Sequence, residues 1–204
     1  MNRLQYGDEL GSIRVGMIKK ILIGVAILLV VFVVVVAMQP SAYRVVRSAT
    51  MAAPAADVFA HVNDFHQWEA WSPWAKLDPA IKNSFDGAPS GTGATFAWVG
   101  NDKVGEGRMT ILESRPSEQI RINLEFIKPF PSACITEFNF KPEGDQTAVT
   151  WTMAGNNNFL AKAVCLFMNM DKMVGGDFER GLTQMKAIVE TPAKPKPEAA
   201  SSDH

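Results

Sequence analysis

The stretch EQIRINLEFIK, residues 118–128, decides the fold class because apolar and polar side chains alternate from Gln119 to Phe126. The apolar members are Ile120, Ile122, Leu124 and Phe126, and charged or amide side chains separate them. A period of two is typical of a β-strand with one covered and one solvated face. Such strands belong to antiparallel sheets, because parallel strands are usually covered on both faces.

The same alternation recurs on both sides of this strand. It is found in residues 43–51, 91–100, 107–114, 133–141 and 148–154, and a shorter strand-like run spans residues 81–85. Turn signals separate the runs, such as Asp86-Gly87 and Glu143-Gly144-Asp145. The sequence therefore predicts a series of antiparallel strands.

An apolar stripe at helical spacing follows the last strand. It runs from Phe159 to Val189, which predicts one long helix with a kink at Gly175-Gly176. A long helix after a run of strands predicts an α+β helix-grip fold, in which a curved antiparallel sheet wraps around the C-terminal helix.

Three of the five tryptophans lie in FHQWEAWSPWAKLD, residues 65–78. The spacing puts Trp68 and Trp71 on one face of a short helix. Pro73 ends that helix near Ser72, because the residue before a proline avoids the α region. With Trp74 the segment forms an aromatic corner, which either plugs the core or gates the mouth of a cavity.

The N-terminal part of the chain contains an apolar run, ILIGVAILLVVFVVVVAM, residues 21–38. Eighteen residues form about 27 Å of helix, close to the hydrocarbon thickness of a bilayer. The run predicts a transmembrane anchor over residues 18–39; a cleaved signal peptide is the alternative, although its apolar region is normally shorter. Residues 1–17 form an extension, and Met17 would itself make a normal start.

The cations that flank the apolar run predict its orientation. Arg14, Lys19 and Lys20 precede it, whereas Arg44 and Arg47 follow it. The excess on the N-terminal side favours an N-terminus in the cytoplasm and a domain outside it. We expect that domain to span residues 41–190 and the Pro, Ala, Lys and Ser-rich tail, residues 191–204, to be disordered.

Composition argues against several function classes. The net charge is −1 and no basic block lies outside the anchor flank, so no nucleic-acid partner is expected. Cys134 and Cys165 cannot form a disulfide framework; they are either two free thiols or, in an oxidising compartment, one bridge. His61 and His66 lie five apart, which misses the i, i+4 spacing of a helical metal site.

No catalytic motif emerges from the chain. Gly-x-Ser-x-Gly is absent, and neither cysteine has a histidine beside it in sequence. We therefore predict no catalytic residue, no metal site and no cofactor.

Several stretches together resemble a known family. They are the segment from Tyr43 to Asp78 with its W-x-x-W-S-P-W corner, the strand end FIKPFPS, VTWTMAG and MDKMVGGDFERGLTQMK. Over residues 19–189 the chain is similar to the membrane-anchored bacterial branch of the START-like (SRPBCC) superfamily, which is labelled polyketide cyclase/dehydrase-like. The resemblance implies a cavity between sheet and long helix that takes a hydrophobic ligand, and a location at the bacterial cytoplasmic membrane.

Bulky side chains on the predicted concave face are the candidate ligand-binding residues. They are Trp71, Trp74, Phe96, Trp98, Met109, Phe126, Phe138, Trp151, Met153, Phe167 and Met170. An aromatic stripe can equally be plain core, and the sequence does not indicate which members line a cavity. Arg47 shares this face and is a possible polar anchor for a ligand head group, or else a strand-end arginine that reaches water.

These observations favour non-catalytic binding of a hydrophobic small molecule or lipid by a membrane-anchored domain. The alternative is a polyketide cyclase, dehydratase or hydrolase that uses the same cavity. A domain that serves protein partners would expose an apolar convex face, but alternation makes that face polar. The sequence does not indicate an oligomeric state.

Overall fold

The computed structural model describes residues 3–191, and for residues 3–15 the backbone only. The described chain divides into two compact units. One combines the residues up to 41 with residues 157–168, and the other combines residues 42–156 with those from 169 onward. The predicted disordered tail lies outside the described residues apart from Thr191.

The larger unit is built on one sheet of seven strands, in the order β1-β7-β6-β5-β4-β3-β2. Every neighbouring pair is antiparallel. The strands are β1 (Ala42–Met51), β2 (Lys82–Gly87), β3 (Ala94–Val99), β4 (Glu106–Arg115), β5 (Gln119–Lys128), β6 (Ser132–Glu143) and β7 (Gln146–Asn156).

The register of the sheet places the inward-facing side chains of neighbouring strands opposite one another. Ile122 lies opposite Thr136, Thr136 opposite Met153, and Met153 opposite Val45, and all four are buried. Because side chains alternate between faces, a common register places one apolar face toward the core. The convex face carries ion pairs such as Arg121 with Glu137.

Three helical elements and the last helix cover the concave face. They are α2 (Ala55–Asn63), a single 3₁₀ turn (Phe65–Gln67), α3 (Trp68–Trp71) and α5 (Met170–Val189). Helix α3 ends at Ser72, as the sequence predicted, and α5 packs against β1, α2 and α3. The α+β helix-grip fold is confirmed.

The predicted single helix over residues 159–189 is wrong, because the chain forms two helices. The first is α4 (Phe159–Cys165), and α5 begins only at Met170. The Asn169 side chain accepts a hydrogen bond from the Lys172 amide at 2.9 Å, which caps α5 and fixes its start. Gly175 and Gly176 lie inside α5 without interrupting it.

The smaller unit contains α1 (Arg3–Met38) and α4, which packs against it. Helix α1 continues through Met17 without a break. Its segment Gly16–Met38 is long and apolar enough to cross a membrane.

Candidate ligand-binding site

The concave face is divided into a closed and an open part, and aromatic side chains fill the closed part. Trp68, Trp71, Phe138, Trp151 and Phe178, here called the closed cluster, are all buried. The Trp151 and Phe178 rings stack with centroids 3.9 Å apart, and Trp151 lies 4.7 Å from Phe138. Side chains packed at these distances leave no room for a ligand between them.

Buried polar groups of the closed cluster have partners inside the protein. The Trp151 Nε1 donates to the Thr136 hydroxyl at 2.9 Å, and that hydroxyl donates to the Thr152 carbonyl at 3.0 Å. The Trp71 Nε1 donates to the His61 carbonyl at 3.0 Å. Because satisfied polar groups gain nothing from a ligand, the cluster is a structural core.

The open part of the same face lies on β3, β4 and β5. Phe96, Trp98, Leu124 and Phe126 are only half-buried there, and we call these four side chains the open patch. The Phe96 and Trp98 rings are 5.8 Å apart, and Trp98 and Phe126 are 6.3 Å apart. The Trp98 Nε1 donates to the Val104 carbonyl at 3.0 Å, which fixes the indole in place.

Small residues on the inward face make room for large side chains. A Cβ on Gly107 would come within 2.5 Å of the Trp98 ring, and a Cβ on Gly155 within 2.8 Å of the Tyr43 hydroxyl. Both glycines therefore accept aromatic rings at a distance that no other residue permits. Gly155 is in register with Cys134, which is also small.

Tyr43 and Cys134 are polar side chains on the concave face of the sheet. They belong to the inward row, in which Tyr43, Gly155, Cys134 and Leu124 lie opposite one another on β1, β7, β6 and β5. Cys134 pairs with Leu124 across β5 and β6. Burial raises the pKa of the Cys134 thiol, while a hydrogen bond with the Tyr43 side chain acts in the opposite direction. A thiol with a raised pKa is a poor nucleophile at neutral pH.

Arg47 lies on the concave side, where two carboxylates of α5 already bind it. Its guanidinium donates to Asp171 at 3.0 Å and to Glu179 at 2.6 Å. Both hydrogen bonds raise the pKa of Arg47 and the pair lowers the pKa of Asp171. A Cβ on Gly175 would collide with the guanidinium, which also donates to the Asp171 carbonyl at 3.0 Å, so the arginine joins β1 to the backbone of α5.

The histidines and acidic residues near the tryptophan corner do not converge. His66 stacks on Phe85 with ring centroids 4.1 Å apart and bonds to the Asp64 carboxylate at 2.8 Å. Within residues 16–191, whose side chains are described, no three His, Cys, Asp or Glu side chains are arranged to hold a metal ion.

The eleven predicted binding residues fall into three groups. Trp71, Met109, Phe138, Trp151 and Met153 are buried in the core. Trp74, Phe96, Trp98, Phe126 and Met170 are half-buried, three of them in the open patch. Phe167 is 80% exposed in the link between α4 and α5, so it does not belong to the inward stripe of α5.

Sequence reasoning did not select Leu124, Tyr43 or Cys134 as site residues. The alternation of β5 already placed Leu124 on the apolar face, and Tyr43 lies two residues from Val45 and therefore on the same face of β1. The sequence thus contained enough information to select both. Small residues opposite one another, such as Cys134 and Gly155, can be detected only once the register is known.

Comparison with known proteins agrees with this geometry. A family model described as polyketide cyclase/dehydrase and lipid transport matches residues 42–190. Among curated proteins, none matches the chain significantly.

Solved structures share the fold at low sequence identity. Protein MLL2253 from Mesorhizobium loti has a TM-score of 0.55 at 14% identity, covering 74% of this chain and 100% of its own. Protein CV1439 from Chromobacterium violaceum has a TM-score of 0.53 at 17% identity, covering 74% and 99%. CalU16 from Micromonospora echinospora has a TM-score of 0.52 at 19% identity, covering 76% and 78%.

Proposed function

The chain belongs to the polyketide cyclase/dehydrase and lipid transport family, within the START-like superfamily, and from that premise we propose that it binds a hydrophobic small molecule or lipid without converting it. Membership supports a ligand-binding or cyclase-like role, and the arrangement of the concave face favours binding.

The open patch is the observation that carries this proposal. Aromatic side chains that are half-buried beside a packed core offer apolar area to a ligand at little cost in reorganisation. Trp98 packs against Gly107 and donates a hydrogen bond to the Val104 carbonyl, so the surface is preformed. The closed cluster beside it supplies the rigid wall that such a site needs.

We place the domain at the membrane through α1. The segment Gly16–Met38 is apolar throughout, and its side chains are mostly exposed, as they would be if lipid surrounded them. The cationic flank before the span favours an N-terminus in the cytoplasm of a bacterial cell and a domain outside it. Tethering then keeps the open patch close to a source of apolar ligands.

A cyclase, dehydratase or hydrolase is the second candidate, because Tyr43 and Cys134 lie in the inward row that contains Leu124. Catalysis there would require an acid/base pair within hydrogen-bond reach of a substrate. The raised pKa of the thiol disfavours it as a nucleophile. We therefore rank binding above catalysis.

Native mass spectrometry of the full-length chain, ejected from detergent micelles after extensive washing, tests the proposal. We expect one apolar mass to stay with the wild-type protein and to be lost from a Trp98→Ala/Phe126→Ala variant. A Val46→Ala/Leu112→Ala variant is the matched control, because it removes exposed apolar side chains outside the patch and keeps α1. Equal retention by all three proteins would contradict the proposal.

The same experiment separates binding from catalysis. If the retained molecule is recovered with an altered mass after incubation, and Tyr43→Phe or Cys134→Ala prevents the change, the enzymatic candidate replaces the binding one. A bound molecule of constant mass supports non-catalytic binding.

A further inference from the structure

In the chain, helix α4 stands between the last strand and α5. Residues 157–168 follow the last strand, yet they form a compact unit with α1 instead of the sheet. The Asn157 amide donates to the Ser41 carbonyl at 2.8 Å, so α4 begins beside the residues that follow the end of α1. Its own start is fixed by Asn158, whose side chain accepts from the Ala161 amide.

The last turns of α1 carry one packed face. Phe32 is half-buried and Val36 is fully buried, whereas most of the apolar span is exposed. The spacing i, i+4 places these two side chains on one side of the helix, and Gln39, just after the helix ends, is also half-buried. Since α4 packs against α1, a second helix stands beside the apolar span instead of beyond its end.

The depth of α4 follows from this packing. Phe32 lies six residues before Met38, which corresponds to about 9 Å along a helix. If α1 crosses a bilayer, a helix packed against these turns lies at the boundary between head groups and acyl chains. Interfacial helices bury their apolar face about 5–10 Å into that boundary.

The outer face of α4 has the chemistry that this location requires. Leu160 and Val164 lie one turn apart on α4, and their side chains are 53% and 41% exposed, while Phe167, in the turn just after α4, is 80% exposed. Phe159 and Met168 extend the exposed apolar surface at both ends. Lys162 lies about 200° around the helix from Leu160 and is half-buried, so the exposed apolar face itself carries no charge.

We propose that the segment 159–168 is a second membrane-binding element, which inserts its apolar face into the leaflet on the domain side. The occupant of this face is the lipid surface itself, continuous with the lipid around α1. This inference rests on the proposed membrane anchoring. It adds a second contact with the bilayer, beside α1.

Depth-dependent quenching on the full-length chain tests the insertion. In a Cys134→Ala/Cys165→Ser background, Leu160→Cys and Phe167→Cys each receive an environment-sensitive fluorophore. Both positions are exposed, so labelling leaves the core intact. The proteins are reconstituted into phosphatidylethanolamine/phosphatidylglycerol vesicles with and without a phospholipid spin-labelled near its head group.

Three further positions serve as references. Val30→Cys, near the middle of the span, reports the anchor and is read with a phospholipid spin-labelled near the end of its acyl chain. Gln184→Cys reports the exposed side of α5, and Lys162→Cys reports the half-buried side of α4. We expect quenching at Leu160 and Phe167 to exceed that at Gln184 by about twofold or more, with Lys162 in between.

The outcomes distinguish the two proposals. Quenching at Val30 with none above the Gln184 level at Leu160 and Phe167 overturns the insertion and leaves the anchor intact. Absence of quenching at Val30 overturns the anchor itself, and the insertion falls with it. A blue shift at Leu160 and Phe167 without lipid quenching means that protein covers this face, which also overturns the inference.

Discussion

Replacing Gly176 and Gly181 by alanine, one at a time, measures how closely α5 approaches the closed cluster. Both residues lie inside α5, where alanine is favoured over glycine by about 0.5–1 kcal/mol. A Cβ on Gly176 meets only the end of Arg180, at 3.9 Å. Gly176→Ala should therefore give the full gain in the free energy of unfolding.

Gly181 is expected to behave in the opposite way. Its Cβ would lie 2.9 Å from the Trp151 ring and 3.1 Å from Pro73. The Trp151 ring cannot move aside because Phe178 and Phe138 both stack against it, with ring centroids 3.9 and 4.7 Å from its own. Overpacking of this kind costs about 1–3 kcal/mol, so the two variants should differ by about 2 kcal/mol.

Denaturant unfolding of the full-length chain in detergent, followed by tryptophan fluorescence, gives both free energies. The expected order of stability is Gly176→Ala, then wild type, then Gly181→Ala. If Gly181→Ala stabilises the protein as much as Gly176→Ala does, α5 does not press on Trp151 and the closed cluster is not the wall of the site.

Three further predictions concern the core, the thiol and the α5 ion pair. Phe178→Ala should lower the free energy of unfolding by about 3–5 kcal/mol, because Phe178 is buried in the closed cluster. Trp98→Ala should lower it by only about 1–2 kcal/mol, because Trp98 is half-buried. Equal losses in denaturant unfolding would refute the division of the concave face into a closed and an open part. Maleimide labelling of Cys134 in a Cys165→Ser chain should begin at a higher pH than that of a free cysteine, and Tyr43→Phe should move it higher still; labelling at the ordinary pH would contradict burial of the thiol. Because the folded pKa of Asp171 is lowered, its stabilising effect is present above the ordinary aspartate pKa of about 3.9 and is lost as the pH falls through the folded value. Asp171→Asn should thus reduce the loss of melting temperature at acid pH, and an unchanged acid profile would show that the pair contributes nothing.

Most of the fold was predictable because its signals are local. Alternation in residues 118–128 and its neighbours defines the strands, and the tryptophan spacing with Pro73 defines the short helix α3. The apolar run that ends at Met38 forms a helix, as expected from its composition. Each signal depends on side chains a few residues apart.

The break between α4 and α5 was missed because the apolar stripe continues across it. Leu160, Val164 and Phe167 keep helical spacing, and periodicity alone does not tell whether a stripe faces a sheet or lipid. Asn169 was the available local signal, since asparagine is a strong N-cap residue. The capping bond that it makes with Lys172 identifies the true start of α5.

The division of the aromatic residues into closed and open parts was beyond sequence reasoning. Phe138 and Trp98 both face the concave side of the sheet, and their burial differs because α5 packs mainly beside β1, at the other edge of the sheet from β3. Arg47 illustrates the same limit, since its partner Asp171 is 124 residues away. Tertiary placement decides which inward side chains stay accessible.

The most direct test of binding at the open patch is fluorescence quenching by a brominated fatty acid, added to the full-length chain in lipid nanodiscs. We expect saturable quenching in the wild-type protein, its loss in Trp98→Phe, and its persistence in Trp151→Phe, because Trp151 is only 2% exposed. Quenching that stays unchanged in Trp98→Phe, or that never saturates, would contradict the account of this protein as a binder of hydrophobic ligands at that patch.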